Sequence, residues 1–297
     1  MNELLCNGEI YKIDLSHTFG SRQYNAGMVE VGDRTFLLFR AEGRNPAPYQ
    51  EARLIFCELY PDFTIGISQP INLLHRQEDA RMILWNNIIF VIFTDRRAMH
   101  QAFIDPTTMT SDPATLRYTA AVKCNYACAT QKTEKNWAPF LIGNKLYAIY
   151  RHTPSFVVIK FNGTLWSTVY NVDAMSMFKH WQFGEIRGGT PPVWHNNEFY
   201  SFFHSSMHYT PKQRGIRQYY VGCYTFDQNF KILRLTHRPI MFGLPGRRID
   251  CVFPCGAICK DNKWYISYGY QDAEVRVAVI DCYEIDQLLQ YHETDII

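Results

Sequence analysis

Two sets of positions in this chain recur at one distance from a tight turn, and they hold side chains that can do chemistry. Arg40, Thr94, Arg151, His204 and Gly269 each stand seven residues past the second residue of such a turn, and Ala41, Asp95, His152, Ser205 and Tyr270 stand one further. Ahead of the same turns run Tyr24-Asn25, Glu78-Asp79-Ala80-Arg81, Glu134-Lys135-Asn136-Trp137, Arg187-Gly188-Gly189-Thr190 and Phe253-Pro254-Cys255-Gly256. Guanidinium groups offer a planar fork of donors and an ammonium a point charge, and both suit phosphate oxygens. A carboxyl group isolated among such cations can deliver a proton. The plain alternative for each member is a salt bridge, above all Asp79 with Arg81, or Asp95 at the surface with Arg96 or Arg97. As a group, cations and carboxylates held together are costly to desolvate, and such clusters mark functional sites.

The elements that position these residues are five copies of one hairpin. The segments are 28–41 (MVEVGDRTFLLFRA), 82–95 (MILWNNIIFVIFTD), 139–152 (PFLIGNKLYAIYRH), 191–206 (PPVWHNNEFYSFFHSS) and 256–272 (GAICKDNKWYISYGYQD). Their turn pairs, Gly32-Asp33, Asn86-Asn87, Gly143-Asn144, Asn196-Asn197 and Asp261-Asn262, are residue types that accept positive φ. An aromatic follows three residues later in every copy: Phe36, Phe90, Tyr147, Tyr200 and Tyr265. The second turn residues stand 54, 57, 53 and 65 positions apart, the length of a four-stranded blade with its loops. The expectation is an all-β, single-domain five-bladed β-propeller over residues 1–297. A sandwich also has many short strands but does not repeat one hairpin five times. One short helix is expected over 286–292, after a strand at 275–280 that closes the ring with residues 10–15. In a propeller the inner strands converge on the axis, so the recurring polar positions meet at one mouth of the ring.

Composition excludes several classes. With 30 basic and 28 acidic residues, nothing asks for a polyanionic partner, and nucleic acid is not expected. The first residues lack the pattern of a signal peptide and no apolar run is long enough to span a bilayer, so a cytoplasmic protein without a membrane partner is expected. Nine cysteines without CxxC spacing read as reduced, mostly buried thiols, Cys255 among them, and no metal is expected. His204 and His208 lack a carboxylate on a shared face and are a weak metal pair. Asn162-Gly163-Thr164 reads as a turn, and Trp137 and Trp194 as core.

The motifs resemble those of glycoside hydrolase family 130, five-bladed propellers that include the mannoside phosphorylases. Glu78-Asp79-Ala80-Arg81 is similar to the family's Glu-Asp-Pro-Arg, with Ala80 in place of Pro, and Lys135 to Phe140 to its third-blade entry. Arg187-Gly188-Gly189-Thr190-Pro191-Pro192 resembles a Gly-rich, Pro-Pro segment preceded by a phosphate-binding Lys, here Arg. Residues 253–257 resemble the fifth-blade entry, and Asp272 the acidic end of a Tyr-Gly-x-x-Asp-like motif. Between the first two blades, 43–74, the resemblance lapses, which leaves acceptor specificity open.

What the resemblance implies is an inverting β-mannoside phosphorylase that yields a sugar 1-phosphate from a glycoside or oligosaccharide, with inorganic phosphate as co-substrate and no further cofactor. It implies Asp95 as the proton donor, and Arg151, Arg187, His204 and Lys135 around phosphate. It implies Arg40, Asn25, Asp79, Arg81, Asp272 and Tyr270 against the sugar. Three alternatives stay open: a glycosyltransferase using a sugar nucleotide or sugar phosphate, a glycoside hydrolase, and a non-catalytic glycan-binding propeller. A homo-oligomer is also left open.

Overall fold

The computed structural model describes residues 3–16, 22–43, 52–128, 133–208, 217–244 and 250–291. They form five antiparallel sheets arranged as the blades of a propeller. Blade one holds strands Arg22–Val31, Arg34–Glu42, Ala52–Leu59 and Ile65–Ile71. Blade two is built on Glu78–Trp85, Ile88–Thr94 and Met99–Asp105, with Val122–Lys123 outside them. Blade three holds Ala138–Ile142, Lys145–Arg151, Ser155–Phe161 and Trp166–Asp173. Blade four begins with Val193–His195, Glu198–His208, Arg217–Phe226 and Ile232–Thr236, and blade five with Val252–Lys260, Lys263–Tyr270 and Glu274–Asp281.

Each repeat read from the sequence is the first hairpin of a blade. The pairs flanking the turns are Val31 with Arg34, Trp85 with Ile88, Ile142 with Lys145, His195 with Glu198 and Lys260 with Lys263. Asn86, Asn87, Asn196, Asn197, Asp261 and Asn262 all adopt φ between 47° and 64°, the left-handed region that the short polar side chain tolerates. Of the five aromatics, Phe36, Phe90, Tyr147 and Tyr200 are buried, while Tyr265 is half-buried against Phe63. Apolar clusters fill the spaces between neighbouring blades, for example Phe36, Leu38 and Phe56 of blade one against Met82, Val91 and Phe93 of blade two. Burial of this kind contributes about 1.5–3 kcal/mol per large side chain and is what fixes the blades around the axis.

The ring closes twice. Glu9–Lys12 pairs with Arg276 to Val279 and completes blade five, overlapping the expected 10–15 but ending at Lys12. The helix spans Cys282–Leu288, starting four residues before the expected position, and the last of the expected helical residues, His292, lies outside the described residues. Instead of continuing as helix, Leu289–Tyr291 becomes a strand beside Ile232–Thr236 of blade four, with His237 donating its backbone N–H to Leu288 O. A β-run of three residues paired across another blade is a tertiary effect that local propensity does not encode. Trp137 is buried, but Trp194 is exposed, because its three-residue strand has one face on solvent. Asn162 forms the expected turn, its side chain accepting from the backbone of Thr164 and Leu165.

Candidate active site

Irregular backbone aims the central residues. The pairing register slips between Tyr24 and Gly27 in blade one and between Glu78 and Arg81 in blade two. These are β-bulges, which bend a strand and redirect a side chain. Asn25 and Asp79 sit in the two bulges with φ of 54° and 53°. They meet: Asn25 Nδ2 donates to Asp79 Oδ1 at 2.7 Å. Arg40, seven residues past its turn, reaches the same carboxylate from 3.7 Å and Glu78 Oε1 from 3.2 Å, and it pairs with Glu42. Tyr24 lies under the Arg40 guanidinium and donates its hydroxyl to Glu42 Oε1 at 2.8 Å. Glu42 is a buried counterion that the sequence reading did not assign to the site, and the break in strand apolarity at Arg40-Ala41-Glu42 was its signal; Glu78 is a second, at the head of the Glu78-Asp79-Ala80-Arg81 stretch.

Asp272 enters from a left-handed turn in blade five, φ 50°. Burial first, and then the neighbouring charge of Asp79, push its carboxyl up to about 6 against the opposing pull of Arg40. Asp79 and Asp272 therefore share one electrostatic environment, with Asn25 and Arg40 against Asp79. Asp272 thus keeps its proton to a higher pH than an ordinary aspartate.

Next to this pair lies a cleft of about 430 Å³ lined by Lys135, Asn136, Arg151, Thr153, Glu185 and Arg187. Arg151 Nε is buried without a hydrogen-bond partner among the described residues. Burial pulls the Lys135 ammonium down; Asp79 opposes this, and the charges of Arg187, Arg81 and Arg96 reinforce it. Arg187 donates to Glu185 Oε2 at 2.9 Å, and Thr153 donates to Glu185 Oε1 at 3.0 Å. Burial would raise the Glu185 carboxyl, but those two hydrogen bonds hold it below its ordinary range. Three cations face one carboxylate, so the cleft carries a net positive charge suited to an anion.

The backbone at the cleft is pinned closely. Arg187 exchanges backbone hydrogen bonds with His204, N to O at 2.9 Å and O to N at 3.2 Å. A Cβ on Gly188 would stand 2.2 Å from Asn136 O, and one on Gly189 would stand 2.0 Å from Phe202 O, so only glycine fits at either position. His204 is buried with Nδ1 2.6 Å from Gly188 O. A carbonyl accepts only, so Nδ1 carries the hydrogen. Burial, followed by the charges of Arg81, Arg187 and Lys135, depresses the imidazole far below its usual range. His204 is thus a neutral ring beside the cleft, not a fourth cation.

Other expected site residues take different places. Arg81 is fully buried, donating to Gly189 O at 3.1 Å, Asp79 O at 2.6 Å and Asn136 Oδ1 at 3.4 Å, with its guanidinium 5.2 Å from the Phe253 ring centre. It is a strut joining three blades, and it binds the backbone of Asp79 and not its carboxylate. Tyr270 lies against Arg276 and accepts from Gln271. Asp95 stands beyond the strand end, where Arg96 turns the chain with φ 76°. Its Oδ1 accepts from the backbone of Arg97 and Ala98, both at 2.7 Å, and its Oδ2 lies 3.2 Å from His100 Nε2. Burial opposes ionisation there, but those bonds outweigh it and keep the carboxyl below its usual range. Asp95 is not among the residues that line the cleft. Cys255 is buried with its thiol pushed up to about 12 by burial, consistent with packing.

No curated protein sequence matches the chain. Among solved structures, the chain is similar to a β-1,2-mannobiose phosphorylase from Listeria innocua in complex with β-1,2-mannobiose, at 16% identity, TM-score 0.62, with 94% of this chain and 93% of that one covered. It is similar to MPT-4, a mannose phosphorylase from Leishmania mexicana in complex with phosphate ion, at 15% identity, TM-score 0.62, with 95% and 92% covered. A third similar structure comes from the glycoside hydrolases that target β-1,2-mannosidic linkages in Candida mannan, at 13% identity, TM-score 0.60, with 88% and 84% covered. At these identities the likeness establishes the fold. Residues 68–291 match the sequence profile described as β-1,4-mannooligosaccharide phosphorylase, and the chain belongs to that family, glycoside hydrolase family 130.

Proposed function

We propose that this chain is an inverting phosphorylase of β-mannosides. The observation that carries the reading is the net positive cleft of Lys135, Arg151 and Arg187 beside the Asp79–Asp272 carboxyl pair. A hydrolase needs a water at that place, and a water does not require three cations around it. Phosphate does, since the cations offset its repulsion by the carboxylates and hold an oxygen in line with the anomeric carbon. The phosphate complex of the Leishmania protein and the mannobiose complex of the Listeria protein agree in ligand chemistry with the two halves of this site.

In the reaction a phosphate oxygen forms a bond to the anomeric carbon as the glycosidic bond breaks, and the departing oxygen keeps the electron pair and takes up a proton. We assign that proton to Asp79, in place of Asp95. Asp79 is the member of the carboxyl pair whose charge reaches Lys135, so it lies at the junction of sugar pocket and anion cleft. Asp272 holds or returns the proton, and Asn25 and Arg40 fix the Asp79 carboxylate. His204, with Nδ1–H on Gly188, fixes the backbone beside the cleft and adds no charge to it. The residues are sufficient for this chemistry without a cofactor.

The test is to incubate the protein with β-1,4- and β-1,2-linked mannooligosaccharides with and without inorganic phosphate and to follow mannose 1-phosphate. Phosphate-dependent release of mannose 1-phosphate supports the reading. Equal release of free mannose with or without phosphate replaces it with hydrolysis.

A further inference from the structure

At the turn end of blades four and five, the structure brings together three soft-metal ligands that are far apart in sequence. His195 ends the first strand of blade four, Cys259 lies in the first strand of blade five, and Cys282 opens the C-terminal helix. Cys259 Sγ lies 3.5 Å from His195 Nδ1 and 3.5 Å from Cys282 Sγ, and all three ligand atoms fall within 4.8 Å of one another. With metal–sulfur bonds of about 2.3 Å and metal–nitrogen bonds of about 2.0–2.1 Å, tetrahedral coordination sets sulfur atoms about 3.8 Å apart and sulfur and nitrogen about 3.6 Å apart. The two 3.5 Å separations lie close to those edges, and the third falls within 4.8 Å.

The surroundings fit the same purpose. The His195 ring is held edge-on to Tyr200 and Trp264, with centroids 5.7 and 5.6 Å away, so its Nδ1 is aimed and not free to wander. Trp264 is the cross-strand partner of Cys259, and its buried indole N–H has no acceptor among the described residues. Such a donor is better served by a metal-bound thiolate than by a thiol, the usual role of groups around a metal's ligands. Cys282 is buried while His195 and Cys259 are partly open, which leaves an approach for a fourth ligand. None of the three residues contributes to the cleft or to the carboxyl pair.

We propose that His195, Cys259 and Cys282 bind a thiophilic divalent cation of the zinc class, with water or a surface group completing a tetrahedron. The ion staples the place where the chain passes from blade five through the helix back to blade four. It is a structural site and takes no part in glycosidic chemistry. No signature announces it, because the ligands stand 64 and 23 positions apart and resemble neither CxxC nor a histidine pair.

The full-length protein, stripped with chelator in reducing buffer, is titrated with Zn²⁺ and, in parallel, with Co²⁺. The expected result is about one ion per chain, a visible spectrum of tetrahedral thiolate-bound cobalt, and a higher melting temperature with metal. Cys259→Ser and His195→Gln weaken binding by about 100-fold or more, whereas Cys128→Ser, at an exposed cysteine, does not change it. His195→Gln changes a partly exposed ring, so it reports on the site even if the cysteine variant folds poorly. No uptake of either ion by the reduced protein overturns the proposal, as does uptake that both variants retain. A Cys259–Cys282 disulfide in the protein as isolated, with no metal bound after reduction, overturns it equally.

Discussion

Asp79 and Asn25 occupy matching bulges in adjacent blades, both at positive φ, and are joined by a 2.7 Å hydrogen bond. The propeller axis therefore passes a carboxylate whose direction is set by two irregularities at once. Without either bulge, alternation along the strand would turn the side chain to another face.

Asp79→Asn is expected to lower phosphorolysis by about 10²- to 10⁴-fold, the usual worth of a general acid, with the fold retained. Asp95→Asn is expected to leave turnover within about threefold, because its amide oxygen still caps the turn that Asp95 Oδ1 caps. Initial rates of both variants on one mannooligosaccharide decide between them. Near-silence of the Asp95 variant with a folded, active Asp79 variant reverses the assignment.

Arg151→Ala removes a guanidinium whose buried Nε has no partner among the described residues, so binding is affected more than stability. The expected outcome is a rise of about 10- to 100-fold in the KM for phosphate, the worth of about 1.4–2.7 kcal/mol, with the KM for glycoside little changed. A KM for phosphate equal to that of the parent enzyme excludes Arg151 from the cleft's function.

Asp272 links stability to pH with a defined sign. Its carboxyl is raised from 3.8 to about 6, so its favourable contribution is complete below about pH 4 and is lost as the pH rises through about 6. Asp272→Asn removes that loss. At about pH 8 the variant is expected to melt roughly 2–4 °C above the parent protein, and at about pH 4 the two should coincide. Thermal melts at the two pH values test this, and a variant less stable at the higher pH contradicts it.

Arg81→Ala leaves Asn136 Oδ1 and two carbonyls, those of Gly189 and Asp79, without their donor at the junction of three blades. Losing buried charge-assisted bonds of this kind costs about 3–5 kcal/mol, enough to lower the melting temperature by ten degrees or so. A modest change in phosphate KM with an unaltered melt would instead make Arg81 a ligand-binding group.

The five turns were legible because Asn, Asp and Gly announce positive φ, and the ring closure by the chain's N-terminal part was legible, although the pairing runs over residues 9–12 where 10–15 was expected. The cation cleft was legible from repeat position: Arg151 and Arg187 do line it together, as does Lys135. The contacts of Asp95 were not legible, because counting from the turn assumes that the strand continues, whereas the chain turns at Arg96 and the Asp95 carboxylate caps that turn. The bulges at Asn25 and Asp79 have no local signal, since a two-against-one pairing depends on the neighbouring strand. Glu185, two residues before Arg187, was passed over because an exposed acidic residue in a loop looks the same whether or not it faces a cation. Trp194 and the strand Leu289–Tyr291 were hidden for the same reason, their surroundings being supplied by other blades.

Strand Glu9–Lys12 finds its partner only in blade five, and Lys12 bonds to Glu274, which lies 262 positions later. At about 5–20 residues per second, a ribosome takes roughly 10–50 s to make that intervening stretch. Throughout that interval Glu9–Lys12 has no partner to pair with, because the blade it completes has not yet been made. The clasp that completes the ring is thus also its longest vulnerability during synthesis, and blades one to four must hold their shape as an open arc until the last blade arrives.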